Sequence, residues 1–481
     1  MKLKNGQTIR ILRVISQWAF TLLFLLLFFL PALTRNEKSV AAEYFFYFDP
    51  LLLINSLLLT KTLIVLFLLA LIPLLLTLVL GRFFCGWICP LGSIHQFFSW
   101  MFRKSRLSTK GTDKKWLNIK YLVLTVVVIS AVVGTNFAAW FDPFSLLTRS
   151  LATFTPLVDP GHFSIQPFLI GGLFILFIAL NAFQPRFFCN VICPLGAMYG
   201  LLSRFGLFRL EAGESCKKCL KCSTHCTFNG NAGDDFLKSE CMVCFNCVVD
   251  CPTGSVNVKF DLPERETITA VNPGRRKFFG SLALGAAIAA LPKTSLLAKP
   301  GSRHSWLRPP GARKEDDFLD RCERCGQCIQ ACPTGFIQPA ALEAGIEGLW
   351  TPVVNAGGGY CAWNCNKCTQ VCPSNAIEKL TLKEKQRFKI GTAVIDKDRC
   401  YTYADGFNCS SCQGSCPVPD KAIKFRVAEV WNYKGKRTIV KQIYVDPDLC
   451  IGCGNCEYSC PRMDAPAITI VSEDEYREMT R

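Results

Sequence analysis

The sequence predicts an α-helical membrane domain with small, cysteine-rich α+β modules on both of its sides. Three observations predict this class. Half of the 481 residues are hydrophobic and the mean hydropathy is +0.25, concentrated in long apolar runs. The chain holds 28 cysteines, and they are grouped rather than scattered. One segment occurs twice, "RFFCGWICPLG" at residues 82–92 and "RFFCNVICPLG" at residues 186–196.

Lys2, Lys4, Arg10 and Arg13 precede a first apolar run, Val14 to Leu33. No small-residue cleavage site follows it cleanly, so the run is expected to stay as a span that starts in the cytoplasm. Further runs cover Leu58–Leu80, Leu117–Trp140 and Pro167–Phe183. They form two tandem repeats, each reading span, FDP, span, paired cysteines. Phe48-Asp49-Pro50 matches Phe141-Asp142-Pro143, and Cys85 and Cys89 match Cys189 and Cys193. An even number of spans per repeat makes the copies parallel and puts both cysteine pairs on one side. Arg103, Lys104, Arg106, Lys110, Lys114, Lys115, Arg204 and Arg209 lie nearby and assign that side to the cytoplasm. Both FDP turns are then expected to face outward.

Residues 1–210 are therefore the membrane domain, with four spans in two repeats. Residues 211–270 are a cytoplasmic module. Within 271–300, Arg275-Arg276-Lys277-Phe278-Phe279 precede a mildly apolar run of the twin-arginine export type, expected to serve as signal and fifth anchor helix. Residues 301–481 are expected to be exported, which places them in the periplasm of an inner-membrane protein. The formal charge of +17 is read as basic residues flanking spans. No base-reading element accompanies it, so nucleic acid is not an expected partner.

Twenty-four cysteines form six quartets: Cys216, Cys219, Cys222 and Cys226; Cys241, Cys244, Cys247 and Cys251; Cys322, Cys325, Cys328 and Cys332; Cys361, Cys365, Cys368 and Cys372; Cys400, Cys409, Cys412 and Cys416; Cys450, Cys453, Cys456 and Cys460. The spacing C-x2-C-x2-C-x3-C-P is that of bacterial-ferredoxin-like [4Fe–4S] modules. Three thiolates on a tight loop wrap one face of a cube, and the fourth comes from another quartet. Zinc sites use cysteine pairs set well apart in sequence, and a long chain is no small disulfide scaffold. The expected cofactors are six [4Fe–4S] clusters. Cys216, Cys219 and Cys222 should take Cys251 as fourth ligand, and Cys241, Cys244 and Cys247 should take Cys226. In the exported module the third quartet is expected to nest with the sixth, and the fourth with the fifth. The eight residues between Cys400 and Cys409 read as a longer loop.

Cys85, Cys89, Cys189 and Cys193 remain. One pair per repeat at matching depth can complete a four-thiolate site, expected to hold a seventh iron–sulfur cluster of [4Fe–4S] or [2Fe–2S] type. It would bridge the roughly 30 Å of hydrocarbon between the two cysteine-rich modules. Haem is a poor alternative. The four histidines, His95, His162, His225 and His304, lie away from the centres of the spans, and no C-x-x-C-H occurs.

Residues 1–270, with paired C-x3-C-P motifs, four spans and two quartets, resemble the membrane quinol dehydrogenases of periplasmic nitrate reductase systems (the NapH type). Residues 271–481, with a twin-arginine leader and four quartets, resemble their exported ferredoxin partners (the NapG type). This chain departs by fusing the two. The expected function is to pass electrons between membrane quinol, or a cytoplasmic donor, and a periplasmic redox partner. The resemblance implies quinol as substrate and the membrane quinone pool, a periplasmic oxidoreductase or cytochrome, and membrane complex subunits as partners. Asp49, Asp142 and Trp87 are the candidate catalytic residues near a quinol, since a membrane carboxylate is a natural proton acceptor. The alternative role is an accessory factor that reduces or activates a partner metalloenzyme.

Overall fold

The computed structural model describes residues 6–34, 43–62, 64–104, 116–152, 166–219, 236–261, 306–341, 345–431, 435–462 and 464–479, with isolated positions within 221–230 and 280–287. The export-type segment with Arg275–Phe279, the basic stretch 105–115, and His162, His225 and His304 lie outside them. The chain divides into two compact units, Met1–Thr153 with Phe168–Leu291, and Phe154–Pro167 with Pro292–Arg481.

Among the described residues the first unit is helical with one two-stranded sheet. Its first helix, Gly6–Thr34, covers the first apolar run. Two stretches, Gln7–Phe29 and Trp116–Val133, are long and apolar enough to cross a membrane by length and composition. The other apolar helices are shorter: Pro50–Thr60, Val65–Leu80 and Gly171–Ala182. The run expected at 58–80 is broken, because Lys61 closes one helix in the left-handed region (φ 52°) and a new helix starts at Val65. The run expected at 117–140 stops at Val133, where Gly134 takes the left-handed C-terminal position (φ 87°).

Both FDP turns are buried within this unit: Asp49 and Asp142 are 0% exposed. Each Asp caps a short helix with Pro at its first position, Pro50–Thr60 and Pro143–Ala152. Asp49 Oδ1 accepts from the Leu51 amide at 2.8 Å, and Asp142 Oδ2 from the Ser145 amide at 2.7 Å. These helices turn back into the unit, so the turns sit under the cysteine motifs: Phe144 lies 6.2 Å from Phe84, ring to ring. Asn55 and Asn136 clasp the two repeats at 3.0 Å.

Strands β1 (Phe208–Ala212) and β2 (Val256–Phe260) pair antiparallel and close the cysteine-rich module of this unit. Phe208, Leu210, Val256 and Val258 point inward, onto Cys241 and Val243.

Among the described residues the second unit has three antiparallel pairs: β3 (Ile337–Pro339) with β4 (Pro352–Val354), β5 (Thr392–Ile395) with β8 (Ile468–Val471), and β6 (Ile423–Trp431) with β7 (Arg437–Val445). Its cysteines sit on loops and one-turn helices between strands, and the core is built on them, with Cys400, Cys412, Cys416, Cys450 and Cys456 packed among Ala393, Ile423, Ile443 and Ile468. The long loop between Cys400 and Cys409 is tied to the β6–β7 hairpin. Tyr403 Oη donates to the Ile443 carbonyl at 2.7 Å, and Asn408 Oδ1 accepts from the Lys441 amide at 2.8 Å.

Candidate iron–sulfur and proton sites

In the second unit the thiols gather into sets. Cys325 and Cys328 lie within electrostatic reach of Cys322 and Cys372. Burial pushes the Cys322 thiol up to about 11, against the Arg324 guanidinium, and Cys372 adds to the rise. Cys361 and Cys368 group with Cys365 and Cys332. The third quartet therefore nests with the fourth. Cys450, Cys453 and Cys456 group with Cys416. Cys412 groups with Cys400 and Cys409, and Cys460 packs on the same core. The fifth quartet nests with the sixth. Both findings correct the expected nesting of third with sixth and fourth with fifth. The reason is chain economy: neighbouring quartets close the shorter loops, which cost less entropy. The two double sets touch, since the Cys361 amide donates to the Cys453 carbonyl at 2.7 Å. Replacing Cys372 by serine should disturb the set of Cys322, Cys325 and Cys328 and spare that of Cys361, Cys365 and Cys368. Loss of one cluster signal by EPR, out of two distinguishable ones, would check it.

In the first unit, Cys241 and Cys247 lie in reach of Cys244 and Cys226, the set expected from spacing. The amide of Gly230 donates to the Cys226 sulfur at 3.2 Å and holds it there. Among the described residues no three Cys, His, Asp or Glu side chains close on a single ion-sized site. These are wider sets of soft thiol donors, a donor chemistry that fits iron–sulfur clusters.

Cys85, Cys89, Cys189 and Cys193 also come together. Cys89 is in reach of Cys85 and Cys189, and Cys193 of all three others. Cys193 caps the helix Pro194–Ser203, its sulfur accepting from the Gly196 amide at 3.3 Å. Capping and ligation are compatible, because a helix N-terminus favours a thiolate.

This site is roofed by the loop that carries the second quartet. Trp87 Nε1 donates to the Val243 carbonyl at 3.1 Å. Arg186 Nη1 reaches the Met242 sulfur at 3.2 Å. Arg82 Nη1 donates to the Ser239 carbonyl at 3.1 Å and pairs with Glu240 at 3.5 Å. Lys120 also bridges to Glu240, and Tyr121 Oη donates to it at 3.0 Å. Arg82, Lys120 and Glu240 are 0%, 0% and 3% exposed. Sequence reasoning passed over these cations, although an arginine opens both copies of the repeated motif.

The two aspartates meet. Asp49 Oδ2 and Asp142 Oδ1 have no other partner among the described residues, and the two carboxyls lie within hydrogen-bond reach of each other. Two carboxylates cannot both ionise at that separation, so the pair keeps at least one proton. Tyr199, fully buried with a hydroxyl that has no described partner, lies in reach of both Asp49 and Cys85. Trp87 stacks on Phe83 at 4.9 Å and serves the roof. His95 is held by Asn181 at 3.1 Å and stacks on Phe188.

Known families and proteins match along these lines. The family described as "4Fe-4S binding domain" matches residues 62–108 and 166–212, the stretches that carry the two cysteine pairs. "4Fe-4S dicluster domain" families match residues 321–377, and residues 360–419 and 407–463. The methylamine utilization ferredoxin-type protein MauM of Methylorubrum extorquens is 34% identical, over 39% of this chain and 85% of its own length. The ferredoxin-type protein NapG of Escherichia coli is 34% identical, over 41% of this chain and 85% of its own. The ferredoxin-type protein NapH of Escherichia coli is 30% identical, over 38% of this chain and 63% of its own. No solved structure matches. With thiol sets gathered for several clusters and these matches over most of MauM and NapG, the chain belongs to their family, the multi-iron–sulfur ferredoxin-type electron-transfer proteins.

Proposed function

We propose that this protein is a membrane quinol dehydrogenase component that delivers electrons to a redox partner outside the cytoplasmic membrane. The observation that carries the reading is the convergence of both repeats on one place. Their cysteines supply four thiols, and their FDP motifs supply a buried carboxyl pair, with the Tyr199 side chain within electrostatic reach of both. When bound, [4Fe–4S] clusters supply one-electron acceptors spaced along the chain. Six would be held by the quartets, and a seventh iron–sulfur cluster, of [4Fe–4S] or [2Fe–2S] type, by Cys85, Cys89, Cys189 and Cys193.

Oxidation of a quinol to a quinone releases two electrons and two protons. The chain's own residues account for one of the two protons, and the other passes from the quinol to solvent. The Asp49–Asp142 pair, keeping one proton, has room for a second and takes it from a quinol hydroxyl. Burial of the pair excludes water from the transfer. The four spans, the twin-arginine anchor and the periplasmic placement of residues 301–481 belong to the same reading. So do the membrane quinone pool and a periplasmic oxidoreductase or cytochrome as partners.

The test uses the full-length protein in lipid nanodiscs under anaerobic conditions. Addition of a reduced quinol should bleach the iron–sulfur absorbance over repeated turnovers when a soluble acceptor is present. Asp49→Asn with Asp142→Asn should slow this at least tenfold at unchanged iron content. A single stoichiometric reduction of a partner, without turnover, would favour the accessory role instead. Absence of any response to quinol would overturn both.

A further inference from the structure

The ground around the four repeat cysteines carries more buried positive charge than its own carboxylate balances. Arg82 and Lys120 are fully buried, and Arg13 and Arg186 are 2% exposed. Against them the roof supplies one buried carboxylate, Glu240, already shared by Arg82 and Lys120. Arg186 has neutral partners, the Gln96 side-chain oxygen and the Met242 sulfur, and its guanidinium stacks 4.3 Å from the Phe228 ring centre. Nε and Nη2 of Arg82 have no acceptor among the described residues, while the Cys85 thiol lies in reach of its guanidinium. Arg186 is in reach of Cys189, Cys85 and Cys244. Burying cations without anions costs several kcal/mol each, on the order of a whole domain's net stability. Neutral thiols would leave that cost standing. Four thiolates around an iron–sulfur core carry net negative charge and remove it.

We propose that Arg82 and Arg186, the arginines that open the two RFFC motifs, together with Lys120, form the charge-compensating cradle of an anionic iron–sulfur centre and set its reduction potential. The inference rests on reading Cys85, Cys89, Cys189 and Cys193 as ligands of that centre. Each arginine stands three residues before a cysteine, one per repeat, so the cradle is as two-fold as the thiol set. Reduction adds one electron and makes the centre more negative. Nearby fixed cations stabilise the reduced form and raise the potential, which suits an acceptor for quinol. These are positioning residues: they touch neither quinol nor electron acceptor.

Arg186→Gln is the variant of choice, because its hydrogen-bond partners Gln96 and Met242 are neutral and its removal breaks no ion pair with a carboxylate. The full-length protein is purified anaerobically, its iron is counted, and the centre is titrated potentiometrically with EPR detection. Iron should stay at the wild-type level. At a fixed poise the reduced-to-oxidised ratio should fall at least tenfold, which is 59 mV for a one-electron couple. Arg186→Lys should restore most of it. Should Arg186→Gln lose iron, Lys120→Met serves, since it leaves Arg82 and Glu240 as a balanced pair, and the same downward shift is expected. Wild-type titrations in these iron-replete variants would overturn the cradle. A Cys89→Ser, Cys193→Ser double variant separates the two claims: it should lose the irons of one cluster, about four per chain for a [4Fe–4S] centre or about two for a [2Fe–2S] one. If it keeps the full complement, the ligand reading underneath fails; if it loses them while the charge variants titrate as wild type, only the cradle fails.

Discussion

Glu240→Gln should destabilise the first unit by about 3–5 kcal/mol, the cost of stranding buried charge. Glu240 stands between Arg82 and Lys120, both fully buried, and accepts from Tyr121 as well. Glutamine keeps the shape and one acceptor oxygen but leaves two cations without their carboxylate. Because Arg82 comes from the first repeat, Lys120 from the second, and Glu240 from the cysteine-rich loop, the loss loosens three parts of the unit at once. Thermal unfolding of purified protein should show a midpoint lower on the order of 10 °C. Glu211→Gln is the control. Its bridge to Lys259 is half exposed on both sides, and its loss should cost under about 1 kcal/mol. Equal midpoints for the two variants would show that the buried junction contributes no more than a surface pair.

Much of this was open to reading in the chain and some was not, for physical reasons. The quartets were legible because cluster ligation forces close spacing onto a short loop, and such spacing survives in sequence. The joining of Cys241, Cys244 and Cys247 with Cys226 followed from that rule alone. Nesting among four quartets did not, since spacing within a quartet is silent about which neighbour it meets. The helical class of the first unit followed from apolar runs. Its breaks at Lys61 and Gly134 did not, because hydropathy averages over the single residue that leaves the right-handed region. The FDP turns were legible as capped helix starts, but their burial was not: a capped start reads the same in sequence whether it is exposed or packed against another turn. Arg82 and Arg186 were hidden by a reasonable habit, that of assigning basic residues beside apolar runs to the membrane surface. Burial reverses the meaning of such a charge, and burial is a tertiary fact.

Gly86→Ala should be the most disruptive single-methyl change in the repeated motif. A Cβ at residue 86 would lie 2.3 Å from the Met242 carbonyl oxygen, a distance no pair of such atoms sustains. Met242 is backbone on the loop between Cys241 and Cys244, so nothing flexible can swing aside. The matching residue of the second repeat is Asn190, whose side-chain amide donates to the Pro185 carbonyl at 2.9 Å. Gly86, the position where the two copies differ as glycine and asparagine, thus marks where the cysteine-rich loop is seated. Alanine must lift that loop, stretching the Trp87–Val243 bond and the Arg82–Ser239 bond together. Overpacking of this kind costs about 1–3 kcal/mol, well below the stability of the whole unit, so the protein should fold and keep its iron. The larger effect is expected in electron exchange between the repeat cysteines and the Cys241 set, because tunnelling falls steeply with separation. Rapid-mixing spectroscopy should show reduction of the first-unit ferredoxin clusters slowed at least tenfold after quinol addition. Gly172→Ala, where a Cβ meets nothing within 4 Å, should leave that rate unchanged. If alanine at 86 behaves like alanine at 172 in both melting and rate, the loop is not seated on Gly86, and the direct path from the repeat thiols to the ferredoxin loop is lost with it.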